Sequence, residues 1–277
     1  MSSSTRRALR AAAIATAAGC AALSANAALV NVTVTVENLA PANSIAFAPL
    51  HVGFHNGTFD AFNLGAAATE PIISVAEGGA GGAWQAAFAA ADPTATRGTV
   101  GGLLLPGATR SLTLQVDTTL NPHFTFSGMV VPSNDFFIGN DSPTEYRLFD
   151  AAGSLTLPFI SVRADEIWDA GSELFDPAAA AFVGNNDLRT PQNGVVNFNF
   201  SELSGFNGLT TGAGYIFNSG LSAADEVYRI RFDVARVSEP GSLAVLAAGL
   251  FSMGFVARRR RGETLRTRGT GPAESIE

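Results

Sequence analysis

The most constraining stretch of the chain is Leu29 to Glu37. It alternates without a break: Val30, Val32, Val34 and Val36 take one side, and Asn31, Thr33, Thr35 and Glu37 the other. A period of two with β-branched residues on one face fits a strand buried on one side and is poor for a helix. The same period returns at Ser111 to Asp117, with Leu112, Leu114 and Val116 inward. It returns again at Glu226 to Val237, where Tyr228, Ile230, Phe232 and Val234 oppose Arg229, Arg231 and Asp233. Further strands are expected at Phe47 to Phe54 and His123 to Val131. Val195 to Phe200 should form another, and Tyr146 to Asp150 with Ser154 to Val162 a hairpin around Ala-Ala-Gly. One sheet would leave an apolar face wet, so about eight strands predict two packed sheets, an antiparallel β-sandwich. Only Ile72 to Glu77 and Ala83 to Ala91 read as helices. The Gly78 to Gly82 run between them lacks the Lys and Ser/Thr of a phosphate loop and reads as a flexible connection. Phe175 to Asn193 reads as a long loop.

Composition supports a folded domain. Of 277 residues, 47% are hydrophobic and 15% charged, which leaves material for a core. All 17 basic residues are Arg. Three of these precede Ala11 and six lie from Arg258 onward; the segment between has eight Arg against 21 acidic residues, a balance of −13. Such a segment argues against nucleic acid as a partner.

Both ends read as addresses. Arg6, Arg7 and Arg10, an Ala-rich stretch from Ala11 to Ala22, and Ala25-Asn26-Ala27 form an export signal over residues 1–27, cleaved after Ala27. The paired Arg is an element of the twin-arginine route, without the usual following aromatic. Cys20, the one cysteine, falls inside this signal, so the remaining chain, with residues 28–237 as its domain, has no disulfide. Ala17-Ala18-Gly19-Cys20 distantly resembles a lipoprotein processing site. At the other end, Ser238-Glu239-Pro240-Gly241 precedes an apolar run, Ser242 to Ala257, and the cluster Arg258 to Arg261. The run is slightly short for a membrane helix, and the Arg cluster would stay on the cytoplasmic side. Residues 238–261 resemble the PEP-CTERM sorting tail. That resemblance implies an exosortase-type enzyme as a partner and the membrane as an anchor. Serine stands in place of the first proline, and a polar tail, residues 262–277, follows the cluster.

Two corners concentrate acidic residues. Met129 to Asp141 runs from an apolar segment through Pro132 to Asn134-Asp135, then through Phe136 to Ile138 and Gly139. Ile167-Trp168-Asp169-Ala170-Gly171-Ser172-Glu173 sets two acids around a glycine. Three carboxylates brought together would repel, and a divalent cation removes that penalty. Calcium accepts six to eight oxygens in loose geometry, and Gly171 permits the turn that faces both acids one way. Asp135, Asp169 and Glu173 are the candidate metal ligands, with Asp141 and Asn134 in reserve. Read as pattern alone, the same acids also fit ordinary solvated turns.

These two corners, together with Pro49 to Asp60 and Val75 to Gly78, resemble the spondin N-terminal domain. The resemblance spans most of Leu29 to Val237. It implies a C2-like β-sandwich with one or two short helices. It also implies calcium bound at Asp135, Asp169 and Glu173, and a role in adhesion to extracellular matrix, exopolysaccharide or a surface protein. Phe136 replaces the family's Trp, and Glu173 its usual Asp.

Catalysis is not expected. His51 and His55, about 13 Å apart along a strand, are too far apart for one zinc unless the chain bends at Gly53. The sequence has no Gly-x-Ser-x-Gly elbow. Asp165 and Glu166 near Asp169 could pair for glycoside hydrolysis. The stronger alternative is a polysaccharide-binding module with an aromatic platform at Phe136-Phe137 or Phe59.

Overall fold

In the computed structural model the described residues are 29–237. The export signal, Cys20, the sorting segment and the polar tail lie outside them. Among the described residues no helix is long and apolar enough to cross a membrane.

The alternating stretch forms β1 (Leu29–Asn38), with Val30, Val32, Val34 and Val36 buried. It is the second strand of a four-stranded antiparallel sheet ordered β5 (Thr109–Asp117), β1, β12 (Glu226–Arg236), β9 (Phe159–Arg163). Val32 lies opposite Val234 and Leu114, and Val34 opposite Phe232 and Leu112. The apolar side chains therefore stand in rows across one face. On the other face the Thr33 and Thr113 hydroxyls meet at 2.9 Å.

The second sheet is larger. Its path runs β11 (Asn197–Phe198), β10 (Trp168–Asp169), β7 (Phe136–Gly139), β6 (His123–Val131), β3 (Leu50–His55), β4 (Thr96–Val100). Two short strands, β2 (Ala46–Phe47) and β8 (Tyr146–Arg147), also pair with β6. Every pairing is antiparallel. The two sheets share one core. Phe232 meets Phe124 at 4.8 Å and Phe54 at 6.4 Å between ring centres, and Tyr228 meets Phe47 at 4.5 Å. The expected antiparallel sandwich is therefore present.

A third layer explains why β3 and β6 do not alternate. Every residue of β3 is buried, because the small sheet covers one face and two helices cover the other. These are α1 (Glu70–Gly78), with Pro71 in its first turn, and α2 (Gly82–Ala91). They bring Ile72, Val75, Trp84 and Phe88 onto Phe59, Phe62 and Phe137. Gly53 makes the close approach possible: a Cβ there would lie 2.2 Å from the Phe88 ring.

Four expectations change. The Gly78 to Gly82 run is a tightly specified joint rather than a flexible connection. Gly79 adopts φ +65° to end α1, and a Cβ on Gly81 would lie 2.1 Å from the His51 ring. The proposed long hairpin shrinks to a turn at Asp150 to Ser154 with one bridge, Phe149 to Leu155. Pro158 lacks an N–H for a ladder, and beyond it Phe159–Arg163 crosses to the small sheet to pair with β12. The strand expected at Phe47 to Phe54 is interrupted at Ala48-Pro49. Val195 to Phe200 retains only the two residues of β11.

Candidate functional site

Strand pairing brings the two acidic corners together. Phe136 lies opposite Asp169, and Phe137 opposite Trp168. Asp135, which immediately precedes β7, is thereby carried to the end of β10, where its carbonyl accepts the Ala170 N–H at 3.1 Å. Asp135, Asp169 and Glu173 are all buried.

One oxygen of Asp135 holds the Gly171–Glu173 corner. Its Oδ2 accepts from the Ser172 N–H at 2.7 Å, the Ser172 hydroxyl at 3.1 Å and the Glu173 N–H at 3.0 Å. Gly171 shapes this corner. It adopts φ +66°, and a Cβ there would lie 2.6 Å from the Val195 nitrogen. Both the backbone twist and the close packing require glycine. Asp169 closes its own turn by accepting the Gly171 N–H on Oδ1 at 2.7 Å.

The charges are crowded. Burial, followed by the neighbouring Asp169 carboxylate, pushes the Asp135 carboxyl up to about 7, although the three hydrogen bonds from Ser172 and Glu173 oppose the rise. Asp169 Oδ2 accepts the Asn199 amide at 3.0 Å, and the same amide reaches Glu202 at 2.6 Å. Burial and then Asp169 raise Glu202, with Asn199 opposing. No local pattern in the sequence marks Asn199 or Glu202, which lie about thirty residues beyond Asp169 at the start of the 3-10 helix Phe200–Phe206.

Glu173 contributes its backbone to Asp135 but turns its carboxylate elsewhere. Oε1 accepts the Asn134 amide at 3.0 Å, and Oε2 is buried with no hydrogen-bond partner. Burial raises this carboxyl, Asn134 counters it, and Glu77 on α1 raises it again. Glu77 itself pairs with Arg189 at 2.7 Å. Among the described residues, no group of three or more His, Cys, Asp and Glu is arranged to hold a metal ion. Of the two reserve ligands, Asn134 thus sits beside Glu173. Asp141 lies apart, accepting the Leu64 N–H at 2.8 Å.

The Asp135 and Asp169 carboxylates repel each other, and Glu173 keeps one buried oxygen without a hydrogen-bond partner.

The other candidates are separated by the fold. His51 bonds Thr99 and the Gly79 carbonyl, at 3.1 and 3.2 Å. His55 bonds Thr125 at 2.9 Å and accepts the Gly57 N–H at 3.1 Å. Burial and then His123 lower His55 to about 4, so it is a neutral core histidine at pH 7. Asp165 pairs with Arg163 at 2.8 Å, and Glu166 accepts the Arg163 N–H at 2.7 Å. Phe59, Phe136 and Phe137 are buried. They pack within the core, so none of the three is the exposed aromatic platform expected from the sequence. No protein-family profile matches the chain, and no curated protein matches it.

Proposed function

We propose that the chain is an exported, non-catalytic calcium-binding module for adhesion or matrix association, built on a spondin-like, C2-like sandwich. The observation that carries this reading is the meeting of Asp135 and Asp169, 34 positions apart in sequence, as buried carboxylates at the end of paired strands. Asp135 and Asp169 would hold the ion, and Glu173 would join them as the third carboxylate only on swinging its side chain away from Asn134, with Oε2 its unpartnered acceptor. Bound calcium supplies fixed positive charge that ties the 134–135 and 169–173 corners together. The chain's own residues do the rest. Asp135 organises the corner by accepting three donors, Gly171 gives it its turn, and the strand pairing sets the spacing.

In this reading residues 1–27 direct export, and residues 238–261 deliver the chain to an exosortase-type enzyme and anchor it in the envelope until release. The partner is extracellular matrix, exopolysaccharide or a surface protein.

The test is a thermal melt of the full chain in chelator and in calcium. Calcium at ~100-fold over its dissociation constant stabilises by about 2.7 kcal/mol, a rise of roughly 5–10 °C for a domain of this size. Asp135→Asn with Asp169→Asn should abolish the rise. An unchanged melt, or an equal rise in the double variant, removes calcium from this site.

A further inference from the structure

Trp168 and Asp169 are neighbours on β10 and therefore aim to opposite sides of the sheet. Asp169 reaches the acidic corner described above. Trp168 reaches a separate cavity of about 390 Å³, within the size range of small-ligand sites. Three aromatic side chains, Trp168, Tyr146 and Phe126, line it together with three carboxylates, Asp141, Glu145 and Glu166. Among the described residues that line it, none is basic.

The carboxylates are only partly used by the protein. Asp141 spends Oδ1 on the Leu64 N–H, and Glu166 spends Oε2 on the Arg163 N–H. Each keeps a second oxygen free of those bonds. Glu145 feels the charge of both. Burial raises its carboxyl first, its hydrogen bond to Tyr146 opposes, and Glu166 and Asp141 raise it further. The indole of Trp168 is fixed by its Nε1–H, which donates to the Gly139 carbonyl at 3.2 Å. It is half-buried, as a ring in the wall of an open pocket would be.

Aromatic faces attract cations through their quadrupoles. Carboxylates with spare lone pairs attract the same charge and accept its N–H donors. A bare metal ion would have no use for the aromatic wall. A neutral sugar can stack on the indole and donate hydroxyls to the acids, but gains nothing from their summed negative charge. The geometry points to a site for an organic cation, a guanidinium or ammonium group on a slim carbon stem, held between Trp168 and Tyr146 with its charge toward Glu145 and Glu166. The site is independent of the calcium reading, and chelator leaves it intact.

The test is titration of the full chain, in chelator, with n-butylguanidinium and separately with its neutral isostere n-butylurea, followed by calorimetry and the Trp168 Nε1–H resonance. Butylguanidinium should bind saturably, shift that resonance, and bind about tenfold or more tighter than the urea, as expected for losing a charged hydrogen bond. The double variant Glu145→Gln/Glu166→Gln, whose amides keep the shape, should weaken it by a similar factor without lowering the melting temperature. A third titrant, an acetylated Gly-Arg-Gly amide, separates the sources. Binding tighter than butylguanidinium assigns the site to an arginine side chain of a protein, and weaker binding assigns it to a free small cation. The proposal is overturned if butylguanidinium shows no saturable binding, if butylurea binds equally well, or if the double variant binds like the wild type. The isostere comparison needs no variant and stands even if the substitutions disturb folding.

Discussion

Replacing Asp135 by Asn separates two roles of one side chain. The carboxamide oxygen can take the place of Oδ2 and accept the same three donors from Ser172 and Glu173, so the corner keeps its hydrogen bonds. The negative charge beside Asp169 is what disappears. An acid whose folded value lies above its unfolded one binds its proton more tightly when folded. Its contribution is therefore fully present below the unfolded value and is lost as pH rises through the folded one. For Asp135 that window runs from 3.8 to about 7. At about 1.4 kcal/mol per unit, the ionised wild-type side chain costs up to about 4 kcal/mol above pH 7, a cost that Asn never incurs. Without calcium, Asp135→Asn should therefore melt roughly 10 °C higher than the wild type at pH 8, and the gap should close toward pH 4. Glu173 and Glu202 titrate in the same direction, and His55 in the opposite one; subtracting the variant's profile from the wild type's cancels these shared contributions. On the calcium reading the order should reverse in calcium, because only the wild type would retain the ligand. The assay is a set of thermal melts from pH 4 to 8 in chelator and in calcium. Parallel profiles, or a wild type at least as stable as Asp135→Asn at pH 8 in chelator, would refute the reasoning.

Two further outcomes are expected. Gly171→Ala should destabilise the fold by about 2–4 kcal/mol in a urea melt, since its positive φ is strained for alanine and the new methyl would lie 2.6 Å from the Val195 nitrogen; a change within 0.5 kcal/mol would show that the loop carrying Val195 gives way. His55 should stay neutral in an NMR titration down to about pH 5, with stability falling as pH drops from 6.5 through about 4; a midpoint near 6.5 would show that it is solvated.

The sandwich was legible where one face of a strand is buried and the other wet. In β1 every Val30-type position is inside, so the period of two appears in the letters themselves. It faded where both faces are covered, as in β3, and where a strand is only two residues long, as in β10, too short to show any period. β4 shows no period, because Arg97 and Gly98 interrupt it. The site was legible as far as backbone pairing determines it. Asp135 and Asp169 meet because their strands do. The aim of the Glu173 carboxylate was not, because it follows from the left-handed turn at Gly171 and from Asn134 competing for it. Nor were Glu202 or the aromatic-acid cavity, each assembled from residues that only the folded chain makes neighbours.

The grip of Asp135 on Ser172 and Glu173 closes a loop of nearly forty residues in a chain whose only cysteine, Cys20, has no thiol to pair with. Elsewhere such closure is given to a disulfide, which limits the freedom of the unfolded chain and opens only to a reductant. Here the cross-link is noncovalent, so it forms equally well in reducing and oxidising surroundings. On the calcium reading, proton and cation activity govern it, and protease sensitivity within residues 136–171, the span it closes, should follow those two variables and ignore redox potential.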